Sequence, residues 1–251
     1  MPANRKKNHK NKILLIGGAG YIGSILSEYL IKKNYTVNCL DCCIYNNQHS
    51  IKKFENNKRF FFFKGDFRNK KILYRALKDV KDVIILASLV GDPISKLYPK
   101  ETKEINFLGT KKLFMDLNKK SLNKVVFIST CSNYGIQSDN KLAKENSTLK
   151  PLSLYAKSKV YAEKELIKMQ SKSDYTGVIL RFATAFGISP RMRFDLTLNE
   201  FVRDIFIKKK LIIYDENTWR PYCHVKDFCR IIFRVLKAPK QKIYFEIFNA
   251  G

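Results

Sequence analysis

The chain has 251 residues, with 48 Lys or Arg against 22 Asp or Glu, a formal charge of +26; 45% of its residues are apolar and 13% aromatic. That apolar content excludes wholesale disorder, and the length suits one α/β domain, or one domain with part of a second. No apolar run approaches the roughly 18 residues of a membrane-spanning helix. The basic start MPANRKKNHKNK also lacks the apolar stretch and small-residue cleavage site of a secretory signal.

The charge does not by itself define a partner. Lys supplies 37 of the 48 cations, beside 19 Asn. Both residues have A/T-rich codons, so a base-biased genome explains the excess as readily as an acidic polymer does. The lysines are scattered, and no basic stripe or nucleic-acid reading motif stands out, so a nucleic-acid partner is not expected. The six cysteines form no disulfide framework and, with three histidines, no metal-ligand pattern. Reduced thiols, a cytoplasmic setting and no bound metal are the expectation.

After a basic tail over residues 1–11, expected to be mobile, residues 12–17 (KILLIG) read as a buried strand. It runs into Gly17-Gly18-Ala19-Gly20-Tyr21-Ile22-Gly23, a G-x-x-G-x-x-G turn opening an amphipathic helix over 21–33. Glycines there permit a tight turn, close approach of a pyrophosphate to backbone N–H groups, and close helix–sheet packing. The next strand, 36–41, ends in Asp41, a carboxylate that can accept hydrogen bonds from an adenosine ribose. No Arg follows it directly, which favours NAD over NADP. A strand over 59–66 ends in Asp66, which can accept from an adenine amino group or cap the helix over 70–78, two roles that are compatible. A fourth strand, 82–88, carries Ala87, small enough for a cofactor to lie on.

A helix over 103–119 leads to the strand 124–130, which ends in Thr130 with Ser132 just beyond, hydroxyls able to donate to a substrate oxygen. In the helix over 155–172, Tyr155 and Lys159 share one face. A nearby ammonium lowers a phenol pKa from about 10 and would make Tyr155 a base near neutrality. In a Lys-rich chain that spacing is easily met by chance, and taken alone a solvated helix face accounts for it better. A strand over 176–182 follows. This strand–helix alternation predicts an α/β fold, a doubly wound parallel sheet with ligands at the carboxyl ends of its strands.

Taken together, the glycine turn, the Ser/Thr strand end and the Tyr/Lys helix resemble the extended short-chain dehydrogenase/reductase family, in its NAD-dependent epimerase/dehydratase branch. Further matching segments are Leu86-Ala87-Ser88, Asn106 to Thr110, Arg181 to Gly187 and Arg220 to Asp227. The resemblance implies an NAD-binding Rossmann domain over 12–186. Over 187–251 it implies a small substrate-lobe portion with a late strand and helix, the strand near 245–251, and the rest of that lobe missing. It makes Tyr155 the acid/base, Lys159 its partner and a nicotinamide-ribose ligand, and Thr130 the group bonding the reacting hydroxyl. Gly17, Gly20, Tyr21, Ile22, Gly23, Asp41, Asp66, Phe67, Ala87 and Asn106 fall to the cofactor. Ser132, Thr184 and Arg220 fall to the substrate, Arg220 on its diphosphate or else in a loop salt bridge. Arg191 and Arg193 either steer that diphosphate or stand as rim charges.

Two departures bear on the reaction. The family's 4,6-dehydratases carry an Asp-Glu pair after the catalytic Thr, where this chain has Cys131 and Ser132, which disfavours dehydration. Thr184 stands where galactose epimerases often carry Asn. The resemblance therefore implies an epimerase of a nucleoside-diphosphate sugar working through a keto intermediate. A keto-sugar reductase or dehydrogenase, and a non-catalytic nucleotide- or RNA-binding protein, are the alternatives. A homodimer through helices 103–119 and 155–172 is implied by the family alone.

Overall fold

The computed structural model describes residues 11–137, 142–213 and 216–251; residues 1–10, nearly all of the expected tail, lie outside the described residues. One sheet holds seven parallel strands: β1 (Lys12–Ile16), β2 (Thr36–Asp41), β3 (Phe60–Lys64), β4 (Asp82–Ile85), β5 (Lys124–Thr130), β6 (Thr176–Phe182) and β9 (Glu246–Ala250). Their order is β3-β2-β1-β4-β5-β6-β9. The winding reverses between β1 and β4, so the loops leaving those two strands diverge and open a crevice at their carboxyl ends.

The strands are apolar on both faces because both are covered. Ile13 and Leu15 face a layer with Leu26 and Leu30 of α1 (Tyr21–Lys32) and Phe228 and Ile232 of α8 (Val225–Lys237). Leu14 and Ile16 face Leu73 of α2 (Lys70–Ala76), Phe114 of α5 (Thr110–Leu117) and Leu166 of α6 (Leu154–Ile167). A second, two-stranded parallel sheet pairs β7 (Thr184–Phe186) with β8 (Tyr222–His224), and α7 (Thr197–Lys208) lies between them in sequence. Among the described residues no helix is long and apolar enough to cross a membrane.

The expected strand over 82–88 stops early for a local reason. Leu86 and Ala87 both donate to Ile16 O, at 2.8 and 2.9 Å, so the ladder ends where the backbone turns. The single helix expected over 103–119 is composite. A short α3 (Asp92–Leu97) and α4 (Pro99–Thr102) lead into a π-helical stretch, Lys103–Gly109, and then α5. The wider turn carries buried Asn106, whose amide accepts from Leu89 N and donates to Leu89 O, both at 2.9 Å. The loop after β4 is thereby pinned.

Phe228 of α8 is fully buried and stacks on Phe182 of β6 with ring centroids 3.8 Å apart. Phe228→Ala is expected to cost about 3–5 kcal/mol, read as a lower urea midpoint with an unchanged native circular-dichroism spectrum.

Candidate active site

A cleft of about 630 Å³ opens at the carboxyl ends of β1, β2, β4 and β5. Gly17 forms its floor with φ +87°, and a Cβ there would come within 2.6 Å of Ala87 N. Gly23 lets α1 settle on the turn, since its Cβ would meet Gly17 O at 2.5 Å. Among the described residues no side chain caps α1, leaving its first N–H groups at Tyr21, Ile22 and Gly23 for an anion. With Gly20 and Ala87, these residues line the cleft. A Cβ at residue 17 or 23 would collide with the backbone of Ala87 or of the turn itself, so these glycines set the close packing that shapes a cradle fit for a dinucleotide.

At the β2 end, Asp41 accepts from Ala19 N at 3.0 Å and from Cys43 N at 2.8 Å, one bond to each carboxylate oxygen. A lone pair on each oxygen is left for ribose hydroxyls. Burial raises the Asp41 pKa above the ordinary carboxylate value, against the pull of those N–H groups. Asp66 and Phe67 line the same end. The cap of α2 is Asn69, which accepts from Lys71 N and Ile72 N, so Asp66 does not cap that helix. It is instead clamped by Arg68, whose side chain donates to both oxygens at 2.6–3.1 Å. Burial raises the Asp66 pKa, but the Arg68 hydrogen bonds outweigh it and hold the carboxyl below its ordinary value. Asn106 does not line the cleft; it stands behind it, holding Leu89.

Thr130, Ser132, Tyr155 and Lys159 meet at the β5 end. Lys159, 4% exposed, donates to Ile128 O at 2.9 Å and lies 5.8 Å from the Tyr155 ring centroid. Burial pushes its ammonium pKa down to about 7, with Glu163 opposing. The expected lowering of the Tyr155 pKa by this ammonium is not what the free site shows. Burial raises the phenol above its ordinary value, and the Arg193 charge and the Thr130 hydroxyl only partly offset that.

Two positioning elements escape a motif reading. Glu163, one turn beyond Lys159, pairs with buried Arg181 at 2.7 Å and accepts from Ser129 Oγ at 2.5 Å and Asn133 Nδ2 at 2.7 Å. Arg181 continues to Tyr134 Oη at 2.8 Å, which donates to Asn249 of β9 at 2.6 Å. The signal present was a third residue at the same four-residue spacing, Tyr155, Lys159, Glu163. Tyr21 is the other: its hydroxyl donates to Gly187 O at 2.5 Å and accepts from Asn199 at 3.1 Å, joining α1 to the segment after β7.

Thr184, Arg191, Arg193 and Arg220 also line the cleft. Arg193 is paired with Asp195 at 2.5 Å and lies beside Gly91. Arg220 is exposed and, among the described residues, makes no ion pair. Cys131 does not line the cleft, and burial raises its thiol pKa.

The model of the NAD dependent epimerase/dehydratase family matches residues 13–251. A Bacillus subtilis (strain 168) protein named uncharacterized UDP-glucose epimerase YtcB is 32% identical over 238 residues, 91% of this chain and 73% of that protein. The UDP-glucuronic acid 4-epimerase from Bacillus cereus, crystallised with UDP-glucuronic acid and NAD, superposes with a TM-score of 0.86 at 29% identity. It spans 96% of this chain and 77% of that one. DesIV, a dTDP-glucose 4,6-dehydratase from Streptomyces venezuelae with NAD and TYD bound, gives 0.84 at 26%, over 96% and 75%.

Two measurements test the energetics of this site. Glu163→Leu leaves the Arg181 charge buried without its partner and is expected to cost about 3–5 kcal/mol in chemical denaturation. Lys159 has a folded pKa below its unfolded value, so protonating it opposes folding; the penalty is full below about pH 7 and fades as pH rises toward about 10. Lys159→Met is therefore expected to raise Tm at pH 6, by about 2–4 °C per kcal/mol recovered, with the gain vanishing near pH 10.

Proposed function

The chain belongs to the NAD dependent epimerase/dehydratase family, and from that premise we propose that it is an epimerase of a nucleoside-diphosphate sugar, acting through a transient keto intermediate. The observation that carries this reading is the convergence of Tyr155, Lys159 and Thr130 on the cleft that holds the glycine turn and Asp41, with no acid–base pair after Thr130.

The glycine turn, the α1 N–H groups and Asp41 would hold NAD, which when bound supplies a hydride acceptor and donor for a redox-neutral isomerisation. Tyr155 takes the proton of the reacting sugar hydroxyl and later returns one. Lys159, whose charged form burial disfavours, stands on the same helix face as Tyr155, where its ammonium would support the phenolate as that proton is taken. Thr130 orients the hydroxyl, and Ser132 and Thr184 shape the sugar end. Arg220 at the exposed mouth suits the diphosphate, a bidentate task for a guanidinium.

The free thiols of all six cysteines fit the reducing cytoplasm in which this reading places the enzyme. A homodimer through the helices within 103–119 and 155–172 belongs to the same reading; Leu108 and Met115 are exposed in the first of these stretches.

The test is a panel of UDP-glucose, UDP-glucuronic acid and dTDP-glucose with catalytic NAD, followed by NMR of the sugar products. One of them is expected to give its epimer with no net NADH. Steady NADH formation, or loss of water from the sugar, would contradict the proposal. Tyr155→Phe is expected to lower turnover by about 10²–10⁴-fold while NAD affinity stays within about twofold.

A further inference from the structure

The segment after β7 is tied to the first turn of α1 at several points. Tyr21 Oη donates to Gly187 O at 2.5 Å, Ser189 Oγ donates to Tyr21 O at 2.7 Å, and Ser24 and Ser189 hydroxyls lie 3.1 Å apart. Asn199 closes the far side by donating to Arg193 O at 3.0 Å. Between these anchors the segment carries Arg191 toward the loop that follows Asp41. There its guanidinium carbon lies 4.6 Å from the ring centroid of Tyr45. Both residues line the cleft beside Asp41, whose charge acts on Arg191. Arg193, two residues on, acts on Tyr155 at the other end. Arg193 also acts on Tyr45 and on Arg191 itself, so the two arginines form one basic rim, and of the two only Arg191 is set over the Tyr45 ring.

We propose that Arg191, set over the Tyr45 ring, is a cofactor-retaining residue that closes the cleft over the adenosine half of NAD and sets how slowly the dinucleotide leaves. A guanidinium held over a phenol ring can still present several N–H donors in one planar fork to pyrophosphate oxygens, which an ammonium cannot. The contact joins a loop from β2 to a loop from β7 across the crevice, so it must open before the adenosine can pass. Arg191 sits at the Asp41 end, which leaves the sugar end to other groups. The inference rests on the NAD dependence of the family and not on epimerisation, so it holds whichever reaction the enzyme performs.

The test measures binding and release with the full chain freed of nucleotide, using NAD, ADP-ribose and UDP as separate probes. Arg191→Gln is expected to weaken NAD and ADP-ribose by about tenfold and to speed NAD release similarly. That size follows from one partly exposed cation–π contact plus one charge-assisted hydrogen bond. UDP affinity is expected to be unchanged. Tyr45→Phe keeps the ring and should behave as the parent, whereas Tyr45→Ala should reproduce the Arg191→Gln loss, and the double variant should be no worse than the weaker single one. NAD release at the parent rate in Arg191→Gln would overturn the inference. So would a loss confined to UDP, which would move Arg191 to the substrate. Failure of the parent chain to bind NAD would overturn the cofactor assignment itself, a result distinct from either.

Discussion

The buried pair of Glu163 and Arg181 holds the reactive end of the molecule together. Its two carboxylate oxygens take hydrogen bonds from β5, from the turn after it and from β6, while Arg181 reaches Tyr134 and, through it, β9. Four elements are thus fixed relative to α6, the helix that carries Tyr155 and Lys159. A buried ion pair is seldom favourable against an apolar replacement, and its worth here is positional. Thr130 and Tyr155 come from different elements, and this network brings them to one cleft.

The same low-dielectric surroundings explain the unusual proton affinities. Removing water from Lys159 makes its charged form costly, and removing it from Tyr155 makes phenolate costly. Each group alone therefore prefers neutrality. Such an arrangement weakens the fold locally and suits catalysis, since active sites are where burial is tolerated for its effect on pKa. The opposite end of the cleft is built differently, from uncapped backbone N–H groups of α1 and the carboxylates of Asp41 and Asp66.

Much of this was legible in the sequence because both faces of the sheet are covered. Continuous apolar runs marked β1, β2, β5 and β6 nearly to the residue, and the glycine turn located the crevice. Three-residue strands such as β7 and β8 have no period to detect, and the π-helical stretch at 103–109 looks like ordinary helix in pattern. The site was legible wherever a motif is local. It was not where function depends on partners far apart in sequence: Asn106 with Leu89, Glu163 with Arg181, Arg191 with Tyr45. The raised Tyr155 pKa is illegible for the same reason, because spacing reveals the neighbouring ammonium and says nothing of the water excluded around both groups.

The central claim is that one carbon of a sugar is oxidised and reduced again inside this cleft, with Tyr155 handling the proton. A nucleoside-diphosphate sugar that the enzyme turns over, deuterated at the epimerised carbon, tests it directly. The account requires the deuterium to remain on that carbon in the epimer, with slowed turnover and no exchange into water. Loss of the label to solvent would show that the carbon is deprotonated rather than oxidised, and would contradict the account.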